Sequence, residues 1–281
     1  MDGAIGPQGV GNPESAEDSG RYGTGLFTPD GEGEGERIDY GALAYDAVTR
    51  ARLTSLGVGP GWRCLEVGAG TGTISRWLVD EAGVDEVLAL DRDPRFVRAR
   101  PDGRVRTMTA DVTDTTLAPG RFDLVHCRFV LMHLPEHADV LRRLADWVAP
   151  GGRLVVGDAI DLTTALSPPS AYQRTMAAMW EVLREQIGTD ITWVTNYPYL
   201  LRDLGLQEIG TEIVVPPLTV GAPITAFWKN TWGGMRDALE ASHLLEPGEL
   251  DQALAELASP SLAALSPGMI TSWGRRPPPS S

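Results

Sequence analysis

A glycine-rich segment, residues 64–75, carries the strongest chemical signal in the sequence. It reads Cys-Leu-Glu-Val-Gly-Ala-Gly-Thr-Gly-Thr-Ile-Ser. Its first half is typical of a buried strand and its second half of the start of a helix. Closely spaced glycines at such a junction let the backbone approach a ligand and present free N–H groups at the helix N-terminus. The segment therefore predicts a cofactor site.

The spacing of these glycines separates two classes of cofactor. A dinucleotide-binding turn requires Gly-x-Gly-x-x-Gly. Counted from Gly68 the last position is Thr73, and counted from Gly70 it is Ser75, so neither register fits. In addition, Glu66 would repel a pyrophosphate and is better suited to a ligand that carries a cationic amine. A nicotinamide-dependent oxidoreductase is therefore disfavoured.

Two further acidic residues, Asp91 and Asp111, follow the next two apolar strand patterns. A carboxylate at the first of these strand ends can accept both hydroxyls of a ribose. The alternative for Asp91 is a helix cap, although Asp93 is equally placed to cap. The alternative for Asp111 is an ordinary Asx turn. Acids at three successive strand ends, with Glu66 as the first, are harder to explain as separate structural features.

The residues Glu66, Gly68, Gly70 and Gly72 resemble the first motif of class I S-adenosylmethionine (SAM)-dependent methyltransferases, acid-x-Gly-x-Gly-x-Gly. The resemblance continues through residues 122–135 and 149–156 and covers roughly residues 60–158. It implies SAM as the cofactor and S-adenosylhomocysteine as its product. The implied cofactor contacts are Glu66, Gly68, Ala69, Gly70, Gly72, Asp91 at the ribose, Arg92, Asp111 with Val112 at the adenine, Cys127 and Arg128. Enzymes with unrelated substrates share this half of the fold, so it says little about the substrate.

Two side chains near the end of the fourth strand pattern are candidates for the reacting end of the cofactor. Arg128 could pair with the carboxylate of SAM, or it could form a surface ion pair. His133 is the candidate catalytic base, because an imidazole can accept a proton near pH 7, although a histidine in this loop can also be structural. His126 and His243 are the other candidate bases.

Residues 133–137 also match the zinc-binding pattern His-x-x-Glu-His. That pattern requires both imidazoles on one face of a continuous helix. Pro135 interrupts it, so we expect no metal.

Strand and helix patterns alternate along residues 62–157. The strand patterns cover 62–67, 86–90, 105–110, 122–129 and 153–157, and the helix patterns cover 73–82, 94–100 and 137–148. Such alternation predicts an α/β, doubly wound fold with a mostly parallel sheet, and the resemblance implies that it is the Rossmann-like methyltransferase fold. An amphipathic helix over 38–56 should lead into it, with Ile38, Leu43, Ala44, Ala47, Val48, Ala51 and Leu53 at helical spacing.

Beyond residue 158 the alternation breaks, which predicts helical lid insertions. We expect a mobile tail over 1–36 and a single domain over 37–281. Its core should comprise about 57–160, 197–216 and 266–276, with lid insertions at about 161–196 and 217–265, the second of them irregular around residues 226–235. Large apolar side chains here would line a pocket for an apolar or aromatic substrate. The predicted substrate contacts are Tyr22, Met176, Trp180, Tyr197, Phe227, Trp228 and Trp232.

The composition of the sequence limits the kinds of partner that the protein is expected to bind. The net charge of −14 would repel a phosphate backbone, so nucleic acid is a poor candidate. No stretch is long and apolar enough for a membrane span, and the first residues do not resemble a secretory signal. Both cysteines lie in buried strand patterns, so a disulfide is not expected. We expect a soluble, cytoplasmic protein with a small-molecule substrate, and a homodimer is possible.

Together, these expectations predict a protein that transfers a methyl group from SAM to an O, N or C nucleophile of a small apolar or aromatic metabolite. The lid and tail resemble those of tailoring enzymes of secondary-metabolite (natural-product) biosynthesis. An alternative is a SAM-bound cyclase or isomerase on the same fold, without methyl transfer. A non-catalytic SAM-binding protein is a further alternative.

Overall fold

The computed structural model describes residues 26–27, 31, 33–97 and 100–278. Most of the predicted tail, including Tyr22, lies outside the described residues. Residues 34–36, which we had placed in that tail, belong to the first helix.

The central layer is a seven-stranded sheet in the order β3-β2-β1-β4-β5-β9-β6. Its strands are β1 (Arg63–Val67), β2 (Glu86–Asp91), β3 (Val105–Thr109), β4 (Phe122–Arg128), β5 (Val148–Ile160), β6 (Gln207–Val214) and β9 (Gly268–Arg275). The first five strands pair in parallel, and β9 runs antiparallel to both of its neighbours. A separate two-stranded sheet joins β7 (Pro217–Leu218) to β8 (Ala264–Leu265). The predicted doubly wound α/β fold is confirmed.

Both faces of the sheet are covered, which explains why its central strands are apolar along their length. In β1, Leu65 and Val67 pack into one apolar cluster, while Cys64 packs into another on the opposite face. The helices are α1 (Glu34–Ser55), α2 (Thr73–Asp80), α3 (His137–Asp146), α4 (Ala171–Ile187), α5 (Tyr197–Asp203), α6 (Pro223–Gly234), α7 (Arg236–Ala241) and α8 (Glu249–Ala258). Among the described residues, no helix is long and apolar enough to cross a membrane.

Two local predictions were wrong. Residues 94–100 were expected to be helical, but among the described residues of this stretch Pro94–Phe96 form a 3-10 turn and Val97 returns to an extended conformation. The stretch 226–235 was expected to be irregular, but most of it belongs to α6. Pro223 occupies the first turn of this helix, where its missing N–H removes no helical hydrogen bond.

Helix α1 faces the domain with a different side from the predicted one. Leu43 is 65% exposed, and Ala47 and Ala51 are also exposed. The buried face is mostly polar and comprises Glu34, Arg37, Ala42, Tyr45, Asp46, Thr49 and Leu53. Its polar members find partners inside the protein, so the polar face turns inward.

The lid is a helical layer formed by α4, α6, α7 and α8, which share a second apolar cluster. Met176, Met179 and Trp232 lie at its centre, and each is fully buried. The amide groups of Ala171 and Tyr172 at the start of α4 both donate to Glu256 in α8. This layer packs over one end of the sheet and closes a large cavity.

Candidate functional site

A cavity of about 570 Å³ lies at the carboxyl ends of the parallel strands, between the sheet, α1 and the lid. Ligand sites of drug-sized molecules span roughly 300–1,000 Å³, so it is large enough for a sizeable ligand. Residues after β1, β2, β3 and β4 line one half, and α4 and α6 line the other. Parallel α/β sheets bind ligands at this end of their strands.

The glycine turn, Gly68–Gly72, forms the floor of the first half. Gly68, Gly70 and Gly72 all have positive φ, at 69°, 54° and 69°. A Cβ on Gly68 would overlap Cγ2 of Val130, and one on Gly70 would lie 3.2 Å from Ile38 in α1. Glycine is therefore required here by conformation and by space. Gly68, Ala69 and Gly70 line the cavity, whereas Gly72 caps α2 and does not.

Glu66 lies just before this turn and reaches the cavity wall, although it is only 5% exposed. Its Oε2 accepts a hydrogen bond from the hydroxyl of Ser75 in α2. Nδ1 of His126, the neighbouring residue on β4, lies 3.7 Å from Oε1. His126 is itself buried and does not line the cavity, so it lies behind Glu66.

Asp91 ends β2 with its carboxylate at the cavity. Its Oδ2 accepts the N–H of Gly70 at 3.0 Å, and its Oδ1 accepts the N–H of Asp93 at 3.0 Å. Burial raises the pKa of Asp91, while these two N–H groups act to lower it. Asp93, rather than Asp91, caps the following turn by accepting the N–H of Arg95. Asp91 is thus held by backbone groups and keeps lone pairs for a ligand.

Asp111 combines the two roles considered for it. Its Oδ1 accepts both the N–H and the hydroxyl of Thr113, at 2.8 and 2.7 Å, which is an Asx-type turn. Its Oδ2 lies 3.8 Å from Nε of Arg92. Asp111, Arg92 and the neighbouring Val112 all line the cavity. The turn therefore holds one oxygen of Asp111 while the side chain contributes to the wall.

Arg128 is bonded to α1. Its Nη2 donates to Oδ1 of Asp46 at 2.8 Å and its Nη1 donates to Oγ1 of Thr49 at 2.9 Å. Both partners of the ion pair are nearly buried, with 13% and 10% of their side chains exposed. Arg128 therefore does form an ion pair, but the pair lies inside the protein and not on its surface. It links β4 to α1. Arg128 still forms part of the cavity wall.

His133 lies in the 3-10 turn Leu131–His133 and lines the cavity. Its Nδ1 lies 2.9 Å from the hydroxyl of Thr189. Burial, assisted by the positive charge of Arg37, lowers the pKa of His133 to about 3. The imidazole is therefore neutral at physiological pH and is a weak base. His243, the remaining candidate base, is exposed after α7 and is not part of the wall.

His133 and His137 do not share a helix, because α3 begins only at His137. In the described part of the chain, no cluster of three or more His, Cys, Asp or Glu side chains is arranged to hold a metal ion.

Aromatic side chains dominate the second half of the cavity, which we call the aromatic half. They are Phe27, Tyr45, Phe129, Trp180, Phe227 and Trp228. Nε1 of Trp180 donates to Asp161 and Nε1 of Trp228 donates to Ser266, each at 2.8 Å. Because both indole N–H groups are satisfied within the protein, these rings present apolar surface to a ligand.

Besides Gly72, four predicted contact residues do not line the cavity. Met176 and Trp232 pack inside the lid cluster, and Cys127, a residue of β4, packs in the core. Tyr197 is fully buried, and its hydroxyl donates to Asp158 in β5. Their large or apolar side chains were consistent with pocket lining, but packing between layers uses the same residue types.

Sequence reasoning missed several residues of the wall. Arg37 is buried against the cavity, with its guanidinium bonded to Glu34 at 2.7 Å and stacked 4.2 Å from the ring centre of Phe27. Thr231 follows Phe227 by four residues on the same face of α6 and also lines the cavity. Its position could have been found by helical periodicity, had α6 been predicted as a helix.

This sheet order, the glycine turn after β1 and the acids after β2 and β3 define a Rossmann-like site for a nucleoside cofactor. A family model described as a methyltransferase domain matches residues 65–156. The demethylmenaquinone methyltransferase of Mycolicibacterium paratuberculosis is 30% identical over 195 residues, which are 69% of this chain and 81% of that protein. The chain belongs to the class I SAM-dependent methyltransferases.

Other similarities extend over different shares of the chain. Methyltransferase str2 of Strobilurus tenacellus is 32% identical over 173 residues, 59% of this chain; the chain spans only 61% of that relative. An O-methyltransferase family protein from Burkholderia thailandensis superposes with a TM-score of 0.52, covering 90% of this chain and 62% of that one. Its sequence identity is 13%, so this likeness shows the fold alone.

Proposed function

We propose that this protein transfers the methyl group of SAM to an oxygen, nitrogen or carbon nucleophile of a small apolar or aromatic metabolite in natural-product biosynthesis. The observation that carries the proposal is the shared cavity. One half is formed by the glycine turn and strand-end acids, and the other by aromatic side chains. A cofactor and an acceptor bound in these halves would meet near Val130 and His133.

The residues of the first half fit SAM. Gly68 and Gly70 adopt the left-handed conformation of a turn that lines the cavity, and Val130 and Ile38 leave little room for a Cβ there. We assign Asp91 to the ribose hydroxyls, Asp111 and Val112 to the adenine, and Glu66 to the cationic end of the cofactor. When bound, SAM supplies a methyl group on a positively charged sulfur.

The protein's own contribution is to position the two reactants and to exclude water. Leu134, Leu183 and the side chains of the aromatic half surround the space in which the acceptor would lie. His133 would orient the acceptor by hydrogen bonding as a neutral imidazole. Its pKa of about 3 makes it suitable only for an acceptor that loses its proton readily or has none to lose.

The acceptor class is supported by the walls and by one relative. Rings of Trp180, Phe227 and Trp228 offer flat apolar surfaces, which favour an aromatic ligand. The relative from Mycolicibacterium paratuberculosis is named for demethylmenaquinone, an apolar quinone. We infer that the acceptor of this protein is of comparable apolar, ring-containing character.

The first test is calorimetric titration of the purified protein with S-adenosylhomocysteine, with NAD in a parallel cell. Asp91→Ala should weaken nucleoside binding at least about tenfold, because hydrogen bonds to a charged group contribute roughly 1.5–3 kcal/mol. Asp139→Ala is the matched control, since this carboxylate is exposed on α3 outside the cavity. Binding of NAD instead of the nucleoside would refute the proposal. With an acceptor in hand, a product heavier by one CH2 separates methyl transfer from cyclisation.

A further inference from the structure

Gly41 lies in the interior of α1, where glycine is less favourable than alanine. Its backbone is helical, so the conformation of the chain does not require a glycine there. A neighbouring side chain does, because a Cβ on Gly41 would lie 3.2 Å from Cε2 and 3.3 Å from Cδ2 of Phe227 in α6. Carbon atoms in favourable contact are about 3.5–4.0 Å apart. Gly41 therefore allows the ring of Phe227 to lie against the backbone of α1.

Both residues of this contact line the cavity, Gly41 from α1 and Phe227 from α6. Both are also partly exposed, so the contact lies at the cavity wall and not in the core. Phe227 belongs to the aromatic half, in which we place the acceptor. The distance between its ring and the backbone of α1 thus determines how far this wall stands back from the ligand.

The other neighbours of the Phe227 ring are held in place. The ring centre of Trp228 lies 4.8 Å away, and its indole N–H is bonded within the protein. The guanidinium of Arg37 lies 5.6 Å from the ring centre and is bonded to Glu34. Helix α1 is itself linked to β4 through Arg128. A methyl group at position 41 would therefore displace the ring toward the cavity, which is the open space beside it.

We propose that Gly41 is a specificity-determining residue, because its missing side chain keeps the aromatic half wide enough for an acceptor larger than a single benzene ring. A side chain at this position would move the ring of Phe227 into the space of the acceptor and restrict the protein to smaller rings. The inference rests on the proposed function, because it assigns this half of the cavity to the acceptor.

The test uses two aromatic probes, 2-naphthol and phenol, which differ by one fused ring. Their dissociation constants are measured by ligand-observed NMR on the protein saturated with S-adenosylhomocysteine. We expect the affinity for 2-naphthol relative to phenol to fall at least about fivefold in Gly41→Ala, because an added carbon in a close contact is destabilising. Combining Gly41→Ala with Phe227→Leu should restore most of the relative affinity measured for Phe227→Leu alone, since the smaller side chain leaves room for the new methyl group.

Gly233→Ala is the matched control. Gly233 is an exposed glycine of α6, and a Cβ on it would meet no described atom within 4 Å. This variant should leave the relative affinity unchanged. Both substitutions replace glycine with alanine inside a helix, which favours folding, and the Tm of each variant verifies that it is folded.

An unchanged relative affinity in Gly41→Ala would overturn the proposal, because α1 would then have moved aside instead of the ring. Failure of Phe227→Leu to restore the relative affinity would also overturn it, as would failure of both probes to bind the wild type. S-adenosylhomocysteine affinity, measured on each variant, reports separately on the proposed function. Absence of nucleoside binding by the wild type would contradict that function, whereas intact nucleoside binding with an unchanged relative affinity contradicts only the role of Gly41.

Discussion

Asp158 is a fully buried carboxyl next to the cavity wall. It accepts a hydrogen bond from the hydroxyl of Tyr197, and backbone N–H groups of Val130 and Met132 also stabilise it. Burial nevertheless raises its pKa to about 7. Cys127 and Tyr197 face this carboxyl, and burial raises the pKa of both. Through the N–H groups of Val130 and Met132, Asp158 thus holds the segment after β4 that carries His133.

The pH dependence of stability should reveal this carboxyl. The folded pKa near 7 exceeds the unfolded value of about 3.9, so the folded state binds more protons between these values. Its stabilising contribution is present below about pH 4 and is lost as the pH rises through 7. We predict that Asp158→Asn gains about 2 kcal/mol of unfolding free energy relative to the wild type between pH 5 and pH 8. Urea denaturation at both pH values measures this difference.

An exposed carboxylate provides the control for that experiment. Asp139→Asn, on the surface of α3, should follow the wild type across the same range. Parallel stability curves for Asp158→Asn and the wild type would show that Asp158 does not titrate in this window.

Individual site residues were predictable where the signal was local. The positions of the glycine turn and of the acids at or near the ends of β1, β2 and β3 were predictable, because a left-handed turn and the end of an apolar strand each leave a pattern over a few residues. Tyr197 was assigned to the substrate because a large aromatic side chain fits either a pocket or the core. Its hydrogen-bond partner Asp158 lies 39 residues away, and no local pattern indicates that distance in space.

At the scale of elements, α1 is held by polar contacts as well as by the buried side chains of Tyr45 and Leu53. Asp46 and Thr49 are bonded to Arg128, and Tyr45 donates to the carbonyl oxygen of Pro267 at 3.2 Å. Periodicity identified the helix but chose the wrong face, because it assumes that apolar residues turn inward. The strands were easier to predict, since a strand buried on both faces needs an apolar run, whatever its partner.

The internal ion pair between α1 and β4 should contribute measurably to stability. Removing one partner of a buried pair leaves an uncompensated charge. We predict that Asp46→Ala lowers the unfolding free energy by about 2–3 kcal/mol, with partial recovery in Asp46→Ala combined with Arg128→Met. Urea denaturation at one pH measures these values.

Asp39→Ala is the control on the same helix, because Asp39 is exposed. It should change stability by no more than about 0.5 kcal/mol. A loss in Asp46→Ala no larger than that of the control would mean that α1 is held by its apolar contacts.

At the scale of the whole molecule, the cavity is lined by residues of both the sheet core and the helical lid. Its wall combines strand ends of the core with α1, α4 and α6. The core was predictable because each of its βαβ units is a local pattern, whereas the packing of the lid joins residues far apart in sequence. Within the lid, α6 escaped prediction because its sequence, with two glycines and two tryptophans, lacks a regular polar face.

A ligand in a shared cavity should stabilise both layers together. At a concentration of about 100 times its dissociation constant, S-adenosylhomocysteine should add about 2.7 kcal/mol to the unfolding free energy. This corresponds to a rise in Tm of about 5–10 °C in differential scanning calorimetry. Under the same conditions Asp91→Ala should show a smaller rise, and NAD should produce none. Two separate transitions, with only one shifted, would contradict a single cooperative unit.

The last strand of the chain, β9, lies between two strands that are translated earlier, and this order affects folding during translation. Strands β5 and β6 do not pair with each other in the sheet, because β9 lies between them. During translation both strands leave the ribosome well before Gly268–Arg275 is made. Until then, β5 presents an unpaired edge and β6 has no partner in the sheet, and such edges promote aggregation of partly folded chains. We therefore expect the nascent chain to be prone to aggregation until β9 has been made.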